Sequence, residues 1–306
     1  MRRIDISISL VAILGILLFN ACEEVPPEID YSQPVSGDTT IPIPTDTTYI
    51  TTPEAPQPKV VMFEEFTGVK CTNCPEAHDL LNSILAANKG KIISSGLHSG
   101  HLAIPYNDGT HLSKNDFRIP AAASIAGHFQ MAGQPQGMVD RVLFNGEPNI
   151  VLFQGSWGER ATSRLNVPVS ANVYVETYYS ETTKTLYAAV TVKLLENITS
   201  PLNLTVGLTE DSIIDVQGSR NTVDYPPKGI IDEYTHRHTA RAMFTSWHGI
   251  PFPAPDQKAG RVVTKRFAIS FEGKNWDPSK CYVYAFVHYS GTPSEEILQA
   301  AEAHVK

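Results

Sequence analysis

The sequence predicts a two-part fold: an α/β unit over residues 59–164, followed by an all-β sandwich over residues 165–306. Three observations carry this expectation. The apolar run KVVMFEEFTG is followed by a helical pattern and then by a second apolar run, KIISSGLHSG. Beyond about Leu165 the pattern changes to strict alternation of apolar and polar residues, which is the period of a half-buried strand. A length of 306 residues also exceeds the roughly 250 at which a single core usually stops growing.

The chain opens with two arginines and an apolar run from Ile8 to Phe19, and reaches Cys22 just after a small residue. This is the layout of a secretory signal, and the run is shorter than the ~20 residues of a comfortable membrane span. It resembles a bacterial lipoprotein signal, with residues 1–21 removed and the Cys22 thiol acylated. The stretch LFNAC departs from the commonest form of that signal by its Phe19. The alternative is an ordinary signal cut nearby, with Cys22 unmodified. Glu23 and Glu24 resemble an export tag that sends some lipoproteins of Gram-negative bacteria to the cell surface. Residues 22–58 are dense in Pro, Thr and Asp and show no apolar period, so they read as a disordered, proline-stiffened tether. A net charge of -8 with no basic stripe excludes nucleic acid as a partner.

In the α/β unit the first strand ends near Gly68. Ala77, Leu80, Leu81, Ile84 and Leu85 then lay one apolar stripe on a helix. The strand after it makes a parallel pair with the first, because a single helical crossover returns the chain in the same direction. A polar insertion from Ser99 to Pro120 leads to an Ala-rich helix in AAASIAGHFQMAG. Gln134-Pro135 stands directly before a third apolar strand, where a proline is at odds with a central strand position unless it forms a tight turn, for which a cis bond is one option. The alternating segments VPVSANVYVETYY, TLYAAVTVKLLE, LNLTVGLTED, RVVTKRFAIS and CYVYAFVHYS then supply an antiparallel sandwich of immunoglobulin-like character. The tail SEEILQAAEAHVK reads as a short helix or a strand extension.

Chemistry concentrates at Cys71 and Cys74. At a helix start the first thiol meets unpaired amides and the positive end of the helix dipole, which favour its thiolate. Cys71 would be the nucleophile and Cys74 the resolving thiol. A purely structural disulfide remains open. A metal site would need two further ligands, and His78, His98 and His101 form no recognised set, so neither a metal nor a cofactor is expected. His236 and His238, if both lay in one strand, would share a face suited to a metal or an anion, or would bond within the protein together with Arg241. Trp247 and His248 could line a surface or belong to the core. Cys281, within an alternating run, reads as a small buried apolar residue.

The stretch KVVMFEEFTGVKCTNCP, the helix after it and the later GQPQG resemble a thioredoxin-like domain. That resemblance places Pro135 where the family has a cis-proline facing the two cysteines. Lys70 stands in place of the family's Trp, and Thr72-Asn73 in place of Gly-Pro. The segments LTVGLTEDSIIDVQ and YTHRHTARAMFTSWHG are similar to the C-terminal half of the outer membrane protein 28 family of Gram-negative lipoproteins. Together the resemblances imply an outer-membrane or surface lipoprotein, held to the membrane by lipid at Cys22. Its CxxC site would exchange disulfides with a cysteine-bearing envelope or surface protein. The alternative they leave open is a non-catalytic, adhesin-like binding protein.

Overall fold

The computed structural model describes residues 45–221, 229–291 and 294–306. The expected signal and the expected acylation site, Cys22, lie outside them. In chain order the described chain forms β1 (Thr47–Ile50), β2 (Val61–Thr67), α1 (Cys74–Ala87), β3 (Ile92–His98), α2 (Pro120–His128), β4 (Gln136–Val139) and α3 (Trp157–Arg164). The strands β5 (Ala171–Ser180), β6 (Thr185–Leu194), β7 (Leu202–Glu210), β8 (Ile213–Gly218), β9 (Ile230–His236), β10 (Thr239–Met243) and β11 (Ile250–Pro251) follow. The last are β12 (Arg261–Ser270), β13 (Cys281–Tyr289) and β14 (Ile297–His304). The fold is rich in β-structure.

Strand β2 is buried at every position because it lies inside a sheet covered on both faces. Val61 and Phe63 pack on Leu81 and Ile84 of α1 and on Trp157 of α3, whereas Phe66 packs on Ala122 and Ile125 of α2. Strand β3 runs parallel to β2 from Val61↔Ile92 to Thr67↔His98, as the strand–helix–strand pattern requires. Strand β4 lies antiparallel on the other side of β2.

The sheet does not end there. Its strand order is β14-β13-β7-β10-β3-β2-β4, with β11 beside β7. Five of these strands come from the segment expected to form a separate sandwich. Strand β10 meets β3 in parallel at Thr239↔Gly96 and covers an edge that would otherwise present unpaired amides and carbonyls. The boundary drawn at residue 164 is therefore spanned by one sheet, and the described residues form one compact unit. Periodicity marks strands but does not name their partners.

A second sheet, ordered β1-β12-β6-β5, faces the C-terminal part of the first. Val173, Leu186, Val190, Val192 and Val263 on one side meet Leu204, Val206, Leu208, Val283 and Val287 on the other. Strands β8 and β9 form a separate two-stranded hairpin. The tail is a strand, β14, paired with β13 from Tyr282↔His304 to His288↔Ile297.

The expectation of a disordered tether is corrected for residues 45–58. Strand β1 pairs with β12 from Thr47↔Thr264 to Ile50↔Arg261. The Glu54 carboxylate accepts from Asn172 Nδ2 at 2.7 Å and from Lys193 Nζ at 2.7 Å, and the Gln57 backbone N–H donates to Asn172 Oδ1 at 2.8 Å. A four-residue edge strand needs only backbone partners, so a polar composition does not forbid it. Residues 22–44 lie outside the described part.

Candidate functional site

The cysteine loop runs from the end of β2 into α1. Cys74 is the first residue of that helix, Pro75 occupies its first turn and Glu76 its acidic first-turn position. Proline suits this place because its missing N–H would have had no helical partner. Cys71 and Cys74 are joined in a disulfide. Both are enclosed, Cys71 being 2% exposed and Cys74 0%, while Thr72 and Asn73 between them face solvent.

Gly68 sets the course of the loop. A Cβ there would stand 2.6 Å from the backbone carbonyl carbon and oxygen of Leu102, and Lys70 N–H donates to that same oxygen at 2.7 Å. Backbone atoms cannot move aside as a side-chain tip can. Gly68→Ala is expected to cost about 1–3 kcal/mol of stability, read as a lower urea midpoint, and to shift the amide resonances of Lys70 and Cys71.

The Gln134-Pro135 bond is cis. Gln134 Nε2 donates to Thr67 O at 2.7 Å and to Ser99 O at 2.8 Å, which ties the proline turn to the ends of β2 and β3. Pro135 lines a cleft of about 340 Å³ together with Asn73, Glu76, Phe153 and Arg220. The proline and the CxxC loop thus border one opening. Phe153 is 69% exposed beside it.

Behind the loop lies a buried polar cluster that the sequence did not disclose as a unit. His78, one helical turn after Cys74, hydrogen-bonds Thr67 Oγ1 at 2.8 Å and Tyr234 Oη at 2.7 Å. Glu65 Oε1 lies 3.5 Å from His78 Nε2 and has no hydrogen-bond partner. The His98 and His236 rings stand 5.9 Å apart, each packed against Phe117. Burial pushes Glu65 up to about 8, so it is a neutral acid at pH 7. Burial, reinforced by the other histidines, holds His78 down at about 3 and His98 well below its ordinary value. His236 is held at about 4, again chiefly by burial. Glu65 and His78 therefore meet as neutral groups, because desolvation outweighs their attraction.

The other expected site residues disperse. His236 and His238 do not share a strand face: β9 ends at His236, which points inward. His238 sits in the turn before β10 at φ 50°, 4.0 Å from Asp211. His101 is exposed in a short 3-10 turn. Among the described residues no three His, Cys, Asp or Glu side chains are placed to hold a metal ion. Arg241 pairs with Glu210 at 3.2 Å between Phe117 and Trp276. Trp247 packs beside His128 and His248. Cys281 is fully buried, and burial raises its thiol pKa strongly.

The site also receives residues from far along the chain. Gln217, Gly218 and Arg220, at the end of β8, hydrogen-bond the cysteine loop itself. No local pattern in QGSRN signals this contact.

Residues 122–306 match the family described as outer membrane protein Omp28. The chain belongs to that family. The Omp28 name points to the outer membrane, and the match begins after both loop cysteines, so it speaks for the shared C-terminal part and not for the CxxC. Two solved structures are similar to this Omp28-family chain. HBP35 of Porphyromonas gingivalis aligns over 81% of this chain and 76% of its own, with 20% identity and a TM-score of 0.60. Protein AGR_C_4864 from Agrobacterium tumefaciens aligns over 82% of this chain and 96% of its own, with 12% identity and a TM-score of 0.50. At these identities the likeness is one of fold. Among curated proteins nothing matches.

Proposed function

We propose that this Omp28-family protein is a lipoprotein of a Gram-negative outer membrane or cell surface, anchored through Cys22. Its N-terminal α/β part, which shares one sheet with strands from the later half, is thioredoxin-like and exchanges disulfides with cysteine-bearing envelope proteins. The observation that carries the reading is the Cys71–Cys74 disulfide at the start of α1, with cis Pro135 bordering a cleft that Asn73, between the two cysteines, also lines.

In the reducing direction the Cys71 thiolate attacks a client disulfide. The client S–S bond breaks, a mixed disulfide forms, and one client sulfur leaves and takes a proton. Cys74, deprotonated, then attacks Cys71 Sγ, releases the second client thiolate and restores the Cys71–Cys74 bond, so two electrons pass to the client. In the oxidising direction the same steps run backwards. Placement at a helix N-terminus favours the thiolate forms through which both directions proceed. The Pro135 turn offers the client a wall beside the loop.

A second reading is favoured by one observation, the enclosure of both cysteines. There the disulfide is a staple, and the protein binds surface partners without turnover. The equilibrium reduction potential of the mature chain, measured against dithiol buffers, separates the two. Exchange predicts about -270 to -120 mV, and Cys74→Ser should then accumulate mixed disulfides through Cys71. A value below about -300 mV assigns the bond to structure.

A further inference from the structure

The loop holding the disulfide is bridged from outside by a short strap from the far half of the chain. Gly218 N–H donates to Val69 O at 2.7 Å, and Arg220 N–H donates to Thr72 O at 2.9 Å. Gln217 Nε2 donates to Gly68 O at 3.2 Å and to Cys71 O at 3.0 Å. The Arg220 guanidinium grips the Glu76 carboxylate at the head of α1, with Nε donating to Oε1 at 2.7 Å. Five acceptors of the loop and helix start, from Gly68 to Glu76, are thus held by residues more than 140 positions away.

The strap is built for close approach. A Cβ on Gly218 would stand 2.8 Å from Tyr106 Oη, 3.4 Å from Val69 O and 3.5 Å from the Lys70 carbonyl carbon. It is also separable from the main sheets, since among the described residues β8 and β9 pair with each other and with no strand of either main sheet. The root of the hairpin is pinned elsewhere. Asp215 accepts from the Lys114 and Asn115 backbone N–H groups at 2.9 and 2.8 Å, and Tyr234 bonds His78 at 2.7 Å. The ladder of β8 and β9 shifts register between Asp215 and Gln217, just where the pinned root gives way to the strap. Lifting the strap end would leave these root contacts in place and would expose Gln217, Gly218 and Ser219, which are buried when it is seated. What it would release is a small set of bonds, one of them an exposed ion pair worth little in water.

We propose that Gln217–Arg220 is a gate on the disulfide: seated, it keeps Cys71 Sγ closed to an attacking thiol, and lifting it is the step that exposes the sulfur. This rests on the reading that the disulfide turns over, and it explains how a bond with 2% and 0% exposed cysteines could do so. With dithiothreitol as the attacking thiol the chemistry balances. One thiolate of the reagent attacks Cys71 Sγ, the Cys71–Cys74 bond breaks, and Cys74 leaves and takes a proton. The second thiolate then closes on the mixed disulfide, releases Cys71 as the thiolate, and the reagent becomes a cyclic disulfide after giving up two electrons.

The test is the rate at which dithiothreitol reduces the mature full-length chain, followed by alkylation and mass shift, in the wild type, Arg220→Ala and Gly218→Val. Both variants are expected to react at least tenfold faster. For Arg220→Ala the sign is diagnostic: deleting a cation beside the disulfide slows an anionic thiolate electrostatically, so acceleration requires opening. Gly218→Val presses on the loop and could unfold it; Arg220 is exposed, and its removal leaves the folded chain intact for measurement. An unchanged or slower rate in Arg220→Ala would overturn the gate. The reduction potential of each protein separates this failure from failure of the exchange reading. A gate alters rates and leaves the potential in the span that exchange predicts, whereas a staple gives the lower potential of a structural bond at any rate.

Discussion

Arg141→Ala is expected to destabilise the protein by about 3–5 kcal/mol, the usual consequence of stranding one member of a buried ion pair. The Arg141 side chain is fully enclosed and meets Glu64 through two charge-assisted bonds, Nε to Oε2 at 2.7 Å and Nη2 to Oε1 at 2.7 Å. Its guanidinium also lies between the rings of Phe129, at 5.2 Å, and Phe286, at 5.0 Å. Glu64 belongs to β2 and Phe286 to β13, so one side chain joins the first and last parts of the chain. Alanine leaves the Glu64 carboxylate buried without its cation and removes the stacking. The denaturant midpoint of the variant measures the loss. Replacing Glu64 by Gln in the same chain should recover a large share, because the stranded charge and not the missing contact dominates the cost. A loss under about 1 kcal/mol would mean that water reaches Glu64, contrary to the enclosure described.

The second large effect is a stability maximum near pH 6.5 arising from the cluster behind the cysteine loop. Glu65 titrates at about 8 in the folded chain against 4.5 in a free side chain, so its contribution is fully present below pH 4.5 and is lost as pH rises toward 8. His78 at about 3, His236 at about 4 and the still neutral His98 are depressed from 6.5; their contribution is present above pH 6.5 and is lost as pH falls. Each proton bound differently by the folded and unfolded chains changes stability by about 1.4 kcal/mol per pH unit. Between pH 4.5 and 6.5 three histidines oppose one carboxyl, so the cluster makes stability rise with pH. From 6.5 to 8 the carboxyl acts alone and stability falls by about 1.4 kcal/mol per unit. Unfolding midpoints from pH 5 to 8.5 check this, and Glu65→Gln should flatten the alkaline limb by that one-proton slope. A limb unchanged in that variant would refute the assignment.

Much of the first half was legible because its signals are local. The apolar stripe of α1 is a matter of spacing three and four along one helix, with Ala77, Leu81 and Ile84 buried and Leu80 left exposed, and the two flanking runs pair in parallel across it. Proline before a strand reported its own turn, now seen as the cis Gln134-Pro135 bond. The two cysteines, three apart at a helix start, reported their own pairing. The candidate site was half legible for the same reason: Cys71, Cys74 and Pro135 carry their meaning in their immediate neighbours. Gln217, Gly218 and Arg220 carry none there, and neither did the convergence of Glu65, His78, His98 and His236.

Local chemistry thus determined the strands flanking α1, α1 itself, the five alternating strands of the later half, where the disulfide lies, and a net charge of -8. Tertiary structure decided that β10 closes the edge of β3, that Thr47–Ile50 is a strand and not tether, that His238 turns away from His236, and that a distant strap lies on the cysteine loop. The reason is physical. A residue's period and turn preference are set by its own backbone and nearest neighbours, whereas strand partners and buried clusters are chosen by which edges and faces can satisfy one another at a distance, and that choice belongs to the whole chain at once.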